Sequence, residues 1–288
     1  MTQYRCLYTL LTSDRENHDD LLRHLVIPVT RQIASDPELD SIFFVRYSEP
    51  VWQLRFRILG QPEWIEDRVR PLLEAALPEV ARQGLAERWE FASYEREVAR
   101  YGGEEGMRLA EKIFFHDSLL SLDLIEAEQL GLTSKSRREM SLLYADRLLH
   151  LMQFTREQKL AFYAHGYRWA LEMESWQEEE MRLLDARYQE LKGGLYDLLL
   201  GSQANDPVSQ WGGEESAHAA RQAFTALENV TGRLREASAA GRISQEIVYL
   251  VWCYTHMQCN RMGISPSGEA ILRYFVHRLL LDENPVPA

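Results

Sequence analysis

The sequence predicts an α+β fold, with an N-terminal ferredoxin-like β-α-β-β-α-β unit packed against a larger C-terminal helical bundle. Three observations carry this. Aromatic and β-favouring stretches crowd into the first hundred residues, where they alternate with amphipathic ones. β-branched runs all but vanish after residue 103. Long amphipathic stretches then succeed one another almost to the end. The boundaries are expected at 1–103 for the sheet-containing part and 104–288 for the helical part, the two forming one integrated domain.

The elements follow in order. "YRCLYTLL" (4–11) reads as a strand. Ser13 with Glu16 three residues on makes a capping box, which opens a helix to about residue 34. "SIFFVRYS" (41–48) and "VWQLRFRIL" (51–59) are strands joined through "EP" as a hairpin. Residues 62–84 are helical, with a kink expected at Pro71 or Pro78. "LAERWEFASYE" (85–95) reads as a fourth strand. "YEREVARYGG" (94–103) then packs charge into ten residues and stops on paired glycines. Helices are expected over 104–129, 136–153, 155–175, 177–201, 214–240, 243–262 and 266–282. Ser136 with Glu139 makes a second capping box, and Ser265 before Pro266 a cap with proline at the first helical position. "GSQANDPVSQWGG" (201–213) is the clearest loop, and the chain shows no internal repeat or low-complexity segment.

The composition narrows the function. At 288 residues and 45% hydrophobic content the chain can bury a substantial core. Its net charge of −12 argues against a general nucleic-acid binder, which needs a broad basic surface. Cys6, Cys253 and Cys259 form no disulfide framework, and a six-residue spacing puts the last two on different helix faces, against a zinc pair. Reduced thiols and an N-terminus without a signal-peptide or spanning pattern point to a cytoplasmic protein that does not enter a membrane. No phosphate-cradling glycine loop, H-E-x-x-H or C-x-x-C is present, so no metal site is expected.

Against the acidic background, clustered arginines stand out. Strand alternation puts Val51, Gln53, Arg55 and Arg57 on one face and Trp52, Leu54, Phe56 and Ile58 on the other. The apolar face should meet the two helices of the α/β unit. The arginine face then faces either water or the helical half. In the second case Arg55 and Arg57 need an anionic partner, because an unpaired charge in a closed cleft is costly. Arg46, on the neighbouring strand, shares a face with Ile42 and Phe44, which suits a structural ion pair. On a helix, Tyr249, Cys253, His256 and Asn260 form one stripe. His256 is either a core histidine or a proton-transfer group that Asn260 orients, with Arg261 beside it. His116, Asp117 and Ser118 are consecutive and so point apart on a helix. They suit capping or polar packing and form no triad. The acidic run 174–185 reads as a solvated face.

Taken together, "FFVRYSEP", "LRFR", "YEREVARYGG", "FFHDSLL" and "HMQCNRMG", in that order, resemble the elimination domain of class I lantibiotic dehydratases, which also occurs as stand-alone proteins in thiopeptide biosynthesis. The resemblance spans about residues 3–280. It implies that a separate tRNA-dependent protein glutamylates Ser or Thr of a ribosomal precursor peptide carrying a leader. This chain would then remove the α-proton and expel glutamate, leaving dehydroalanine or dehydrobutyrine without a cofactor. The family's R-x-R strand matches Arg55 and Arg57, its E-R-Y-G-G arginine matches Arg96 or Arg100, and its histidine matches His256. Arg46, Tyr94, Asn260 and Arg261 are the accompanying substrate-binding candidates. One departure is Gln53, where a histidine commonly precedes the arginine pair. The chemistry suits the residue types, because guanidinium forks bind carboxylates and stabilise developing negative charge. Whether His256 acts as base or acid stays open. Two alternatives remain: a thiopeptide pyridine synthase joining two dehydroalanines in a formal [4+2] cycloaddition, and a non-catalytic peptide-binding partner. The apolar helices permit a homodimer without demanding one.

Overall fold

The structure is a computed structural model that describes residues 4–174 and 176–283. β1 (Arg5–Thr12) leads through a short 3-10 turn into α1 (residues 18–33). The hairpin of β2 (Leu39–Tyr47) and β3 (Gln53–Gly60) comes next, then α2 (residues 62–82) and β4 (Arg88–Ala92). The strands form one antiparallel sheet in the order β2-β3-β1-β4. The helical half follows as α3 (Glu104–Gln129), α4 (Arg137–Leu151), α5 (Arg156–Glu174), α6 (Glu178–Leu199), the short α7 (Pro207–Trp211), α8 (Glu214–Ala239), α9 (Ile247–Arg261) and α10 (Pro266–Asp282).

Most sequence boundaries fall within a few residues of these. The Ser136–Glu139 capping box forms, and Ser265 Oγ caps α10 by accepting from Gly268 N. Three local expectations are corrected. The Ser13 hydroxyl caps nothing; it donates to the Leu85 carbonyl at 2.6 Å and ties the start of α1 to the end of α2. The stretch 201–213 holds a 3-10 turn and α7, because the Asp206 side chain accepts from Val208 N and Ser209 N and Pro207 starts a helix. The strand expected at 85–95 shortens to Arg88–Ala92, leaving residues 93–103 as irregular chain and turns.

The prolines act without breaking their helices. Both α1 and α2 contain one π-type turn, at Leu22–Val26 and Ile65–Val69, directly ahead of Pro28 and Pro71. A proline clashes with the carbonyl four residues back and donates no bond to it, and the widened turn accommodates both. Pro78 lies inside α2 without interrupting it.

Strand register decides which face meets which layer. Directly paired residues share a face, so Leu7, Thr9 and Leu11 join Ile58, Phe56 and Leu54 beneath α1 and α2. The other face carries Tyr8 beside Arg57, with Phe43 across from it and Val45 across from Arg55. On that face β2 meets α3 and α9, and Phe43 packs at 5.6 Å from Phe114 of α3. Buried side chains of both halves form one contiguous core. Gly102 and Gly103, with φ of 82° and 104°, turn the chain from the sheet into α3. A Cβ at Gly102 would collide with the Ile243 side chain, so size and backbone conformation both require glycine there.

One buried group should govern acid stability. The His18 side chain is fully buried at the start of α1, edge-on to Trp52. Burial and the Arg46 charge hold its pKa down to about 4. The unfolded chain titrates near 6.5, so between those values it binds the proton that the fold excludes. The stability from this group is therefore complete above pH 6.5 and is lost as pH falls toward 4, by at most about 3 kcal/mol. His18→Leu should show a flatter fall in unfolding free energy across that window. Denaturant titrations at pH 7 and pH 4.5 that return the same difference for both proteins would refute this.

Candidate active site

Where the arginine face of the sheet meets α9, the sides part into a cleft of about 720 Å³. The sheet contributes Arg55 and Arg57, the 93–103 segment contributes Tyr94, Glu95 and Arg100, and α9 contributes His256 and Arg261.

The two arginines of the sheet lack carboxylate partners among the described residues. Arg55 lies over the Tyr47 ring at 3.4 Å and donates Nε–H to Gln53 Oε1 at 3.2 Å. Arg57 sits among the rings of Tyr8, Tyr94 and Phe43 at 4.4, 5.0 and 5.6 Å, and its Nε is buried with no hydrogen-bond partner. Desolvation lowers its pKa, though an arginine stays protonated. Neither arginine forms an ion pair among the described residues. Aromatic faces stabilise a cation while leaving its N–H groups to a ligand. Two guanidinium groups held this way have the chemistry to receive an anion.

His256 lies on α9, half-buried. Its Nδ1 is 2.7 Å from Glu269 Oε2, and its ring stacks on Trp252 at 5.7 Å and 6°. Glu269 sits on α10, buried, one turn before Arg273, and the Arg273 guanidinium grips its other oxygen and donates to Thr255 Oγ1 at 3.1 Å. Burial opposes the charge on Glu269, yet Arg273 and His256 hold its carboxyl below the usual range. With Nδ1 occupied by a carboxylate, Nε2 is the ring nitrogen left for chemistry. Among the described residues, no group of three or more His, Cys, Asp or Glu could hold a metal ion. No described helix is long and apolar enough to cross a membrane.

A family model described as lantibiotic biosynthesis dehydratase C-term matches residues 7–280, nearly the whole chain. The chain belongs to the lantibiotic dehydratase C-terminal family. The subtilin biosynthesis protein SpaB of Bacillus subtilis is 27% identical over 156 residues, covering 54% of this chain and 15% of SpaB. Among solved structures, the tRNA-dependent lantibiotic dehydratase MibB from Microbispora sp. 107891 matches with TM-score 0.73 and 23% identity, over 96% of this chain and 28% of MibB. The chain thus spans a small part of these two longer relatives. TbtD, a pyridine synthase from thiomuracin biosynthesis, matches with TM-score 0.72 and 14% identity, over 96% of this chain and 98% of TbtD. TsrL matches with TM-score 0.70 and 17% identity, over 98% and 95%.

For this family member the structure sorts the sequence candidates. Arg55, Arg57, Tyr94, Arg100 and His256 line one cleft. Arg96 does not join them. It forks onto Glu111 at 2.7 and 2.9 Å and reaches Glu104 at 2.9 Å, away from the cleft. The four-residue spacing from Arg100 implied a shared side only if the segment were helical, and it is not. Arg100 keeps an ion pair with Glu97 at 3.0 Å. Arg46 borders the cleft, but its guanidinium is already engaged, pairing with Asp19 at 2.6 Å and donating Nε–H to the Arg261 carbonyl at 2.9 Å. Asn260 does not orient His256. Its amide clamps the Arg46 backbone, accepting from N at 2.9 Å and donating to O at 2.7 Å. Arg261 is fully buried, with Nη1 2.5 Å from Asp117, so that pair serves the core beneath the cleft. The orienting pair Glu269 and Arg273 was missed in the sequence, although two opposite charges four apart in the otherwise apolar "EAILRYF" were its signal.

Proposed function

We propose that the protein eliminates glutamate from glutamylated Ser or Thr residues of a ribosomal precursor peptide, giving dehydroalanine or dehydrobutyrine, after a separate protein has attached the glutamate. The carrying observation is the pairing in one cleft of carboxylate-free guanidiniums, Arg55 and Arg57, with a histidine backed by a buried carboxylate. Family membership and the likeness to MibB, a tRNA-dependent lantibiotic dehydratase, support the reaction class.

The roles follow from the charges. Nε2 of His256 takes the α-proton as base, and Glu269 stabilises the imidazolium that forms. The electron pair of the Cα–H bond becomes the Cα=Cβ bond, and the Cβ–O bond breaks with its electrons leaving on the glutamyl carboxylate. A carboxylate is a stable anion at neutral pH and leaves without protonation, so the step needs a base and cations more than an acid. Arg55 and Arg57 receive that anion, and Arg100 is the further cation on the cleft wall.

The second reading is pyridine synthesis, favoured by the likeness to TbtD, 98% of which this chain covers. Mass spectrometry separates the two. Incubation with a glutamylated precursor peptide should show stepwise loss of glutamate with alkene formation, and His256→Ala should abolish it at unchanged stability. An untouched glutamylated peptide, with cyclisation of a ready-made bis-dehydroalanine peptide, would replace elimination with cycloaddition.

A further inference from the structure

Charge pairing in the cleft is incomplete in a definite pattern. Arg46, Arg100 and Arg261 are each met by a carboxylate, from Asp19, Glu97 and Asp117. Arg15, Arg55 and Arg57 have none among the described residues. Arg15 instead lies over Trp52 at 5.5 Å and donates to the Gly263 carbonyl at 3.3 Å. Glu95 lines the same cleft, exposed, and has no ion pair or hydrogen bond among the described residues. It directly follows Tyr94, whose ring is 5.0 Å from the Arg57 guanidinium, and lines the cleft together with Arg55 and Arg57. Glu95 makes no ion pair with Arg57 among the described residues, and the Arg57 Nε has no hydrogen-bond partner. An opening that holds back both signs of charge suits a ligand carrying both.

We propose that Glu95 binds the ammonium group of an α-amino-dicarboxylate whose carboxylates are taken by Arg55 and Arg57, making Glu95 the residue that selects a glutamyl group with an unblocked amine. The identity of that group rests on the elimination reading above. A glutamyl ester joined through its α-carboxyl presents one free carboxylate and one ammonium. The second carboxylate appears as the Cβ–O bond breaks. Arg55 and Arg57 cover the two anions, and Glu95 supplies the counter-charge that a carboxylate-only seat would lack. An acyl group without the amine would leave Glu95 facing the anion with nothing between them, which disfavours it.

L-Glutamate and glutarate differ only in the amino group and so isolate this contact. Isothermal titration should show wild-type protein binding L-glutamate about tenfold more tightly than glutarate. Glu95→Gln should bring the two affinities together by weakening L-glutamate alone. Equal affinities in the wild type, failure to bind either ligand, or an equal weakening of both by Glu95→Gln would overturn the assignment. Turnover of a glutamylated peptide is read separately. A glutamate preference without elimination would retire the elimination reading and keep Glu95. Elimination without the preference would do the reverse.

Discussion

Arg57→Met is expected to cut glutamate elimination by about 10²–10³ in kcat while leaving the protein at least as stable as the wild type. The two halves of this expectation have one cause. Among the described residues Arg57 has no carboxylate partner and its Nε is buried without an acceptor, and desolvation already disfavours its charge. Methionine fills a similar volume among the rings of Tyr8, Phe43 and Tyr94 and carries no polar atom to strand there. The fold would lose cation–π attraction and shed an uncompensated charge, and the second change offsets the first. On the proposed mechanism, elimination would lose a donor for the departing carboxylate. Thermal unfolding and single-turnover elimination measured on the same preparation test both halves. A variant that unfolds several degrees lower would mean that Arg57 is a structural residue after all.

Glu269→Gln is expected to damage catalysis and stability together. Glutamine offers the His256 Nδ1 no negative charge, so the imidazolium formed on proton abstraction loses its counter-ion, costing about 10²–10⁴ in kcat. It also leaves the Arg273 guanidinium buried without a full charge opposite. Removing one member of a buried pair costs about 3–5 kcal/mol, and the retained amide oxygen places this change toward the lower end. His256→Ala is the control, because it should abolish turnover with Arg273 and Glu269 still paired. If Glu269→Gln turned over normally, the carboxylate would be only a packing partner of Arg273, and the proton-transfer role of His256 would lose its physical basis.

The parts of the site legible in the sequence were those fixed by local periodicity. Strand alternation alone put Arg55 and Arg57 on the face away from Leu54, Phe56 and Ile58, and the register with β1 and β2 keeps them there. The stripe on α9 brought out His256 in the same way. What failed were inferences that needed a neighbour from elsewhere in the chain. Asn260 stood one turn from His256 and looked like its orienting group, but the backbone of β2 claims it. The orienting group sits thirteen residues away on another helix. Arg96 and Arg100 could not be separated by sequence, because the choice depends on Glu104 and Glu111 of α3 capturing one of them.

By itself, then, the sequence determined the α+β division, the order of strands and helices, most element ends and the face on which the paired arginines stand. Each follows from patterns of two to four residues and from cap and turn chemistry, which short-range sterics and hydrogen bonds enforce. Only the tertiary structure decided which charges are already satisfied. An arginine has the same sequence signature whether it meets an aspartate across the core, as Arg261 and Arg46 do, or an aromatic ring that leaves its N–H groups to a ligand, as Arg55 and Arg57 do. That difference lies in partners brought together from distant segments, and it separates the arginines whose charge is already met from those whose charge is not.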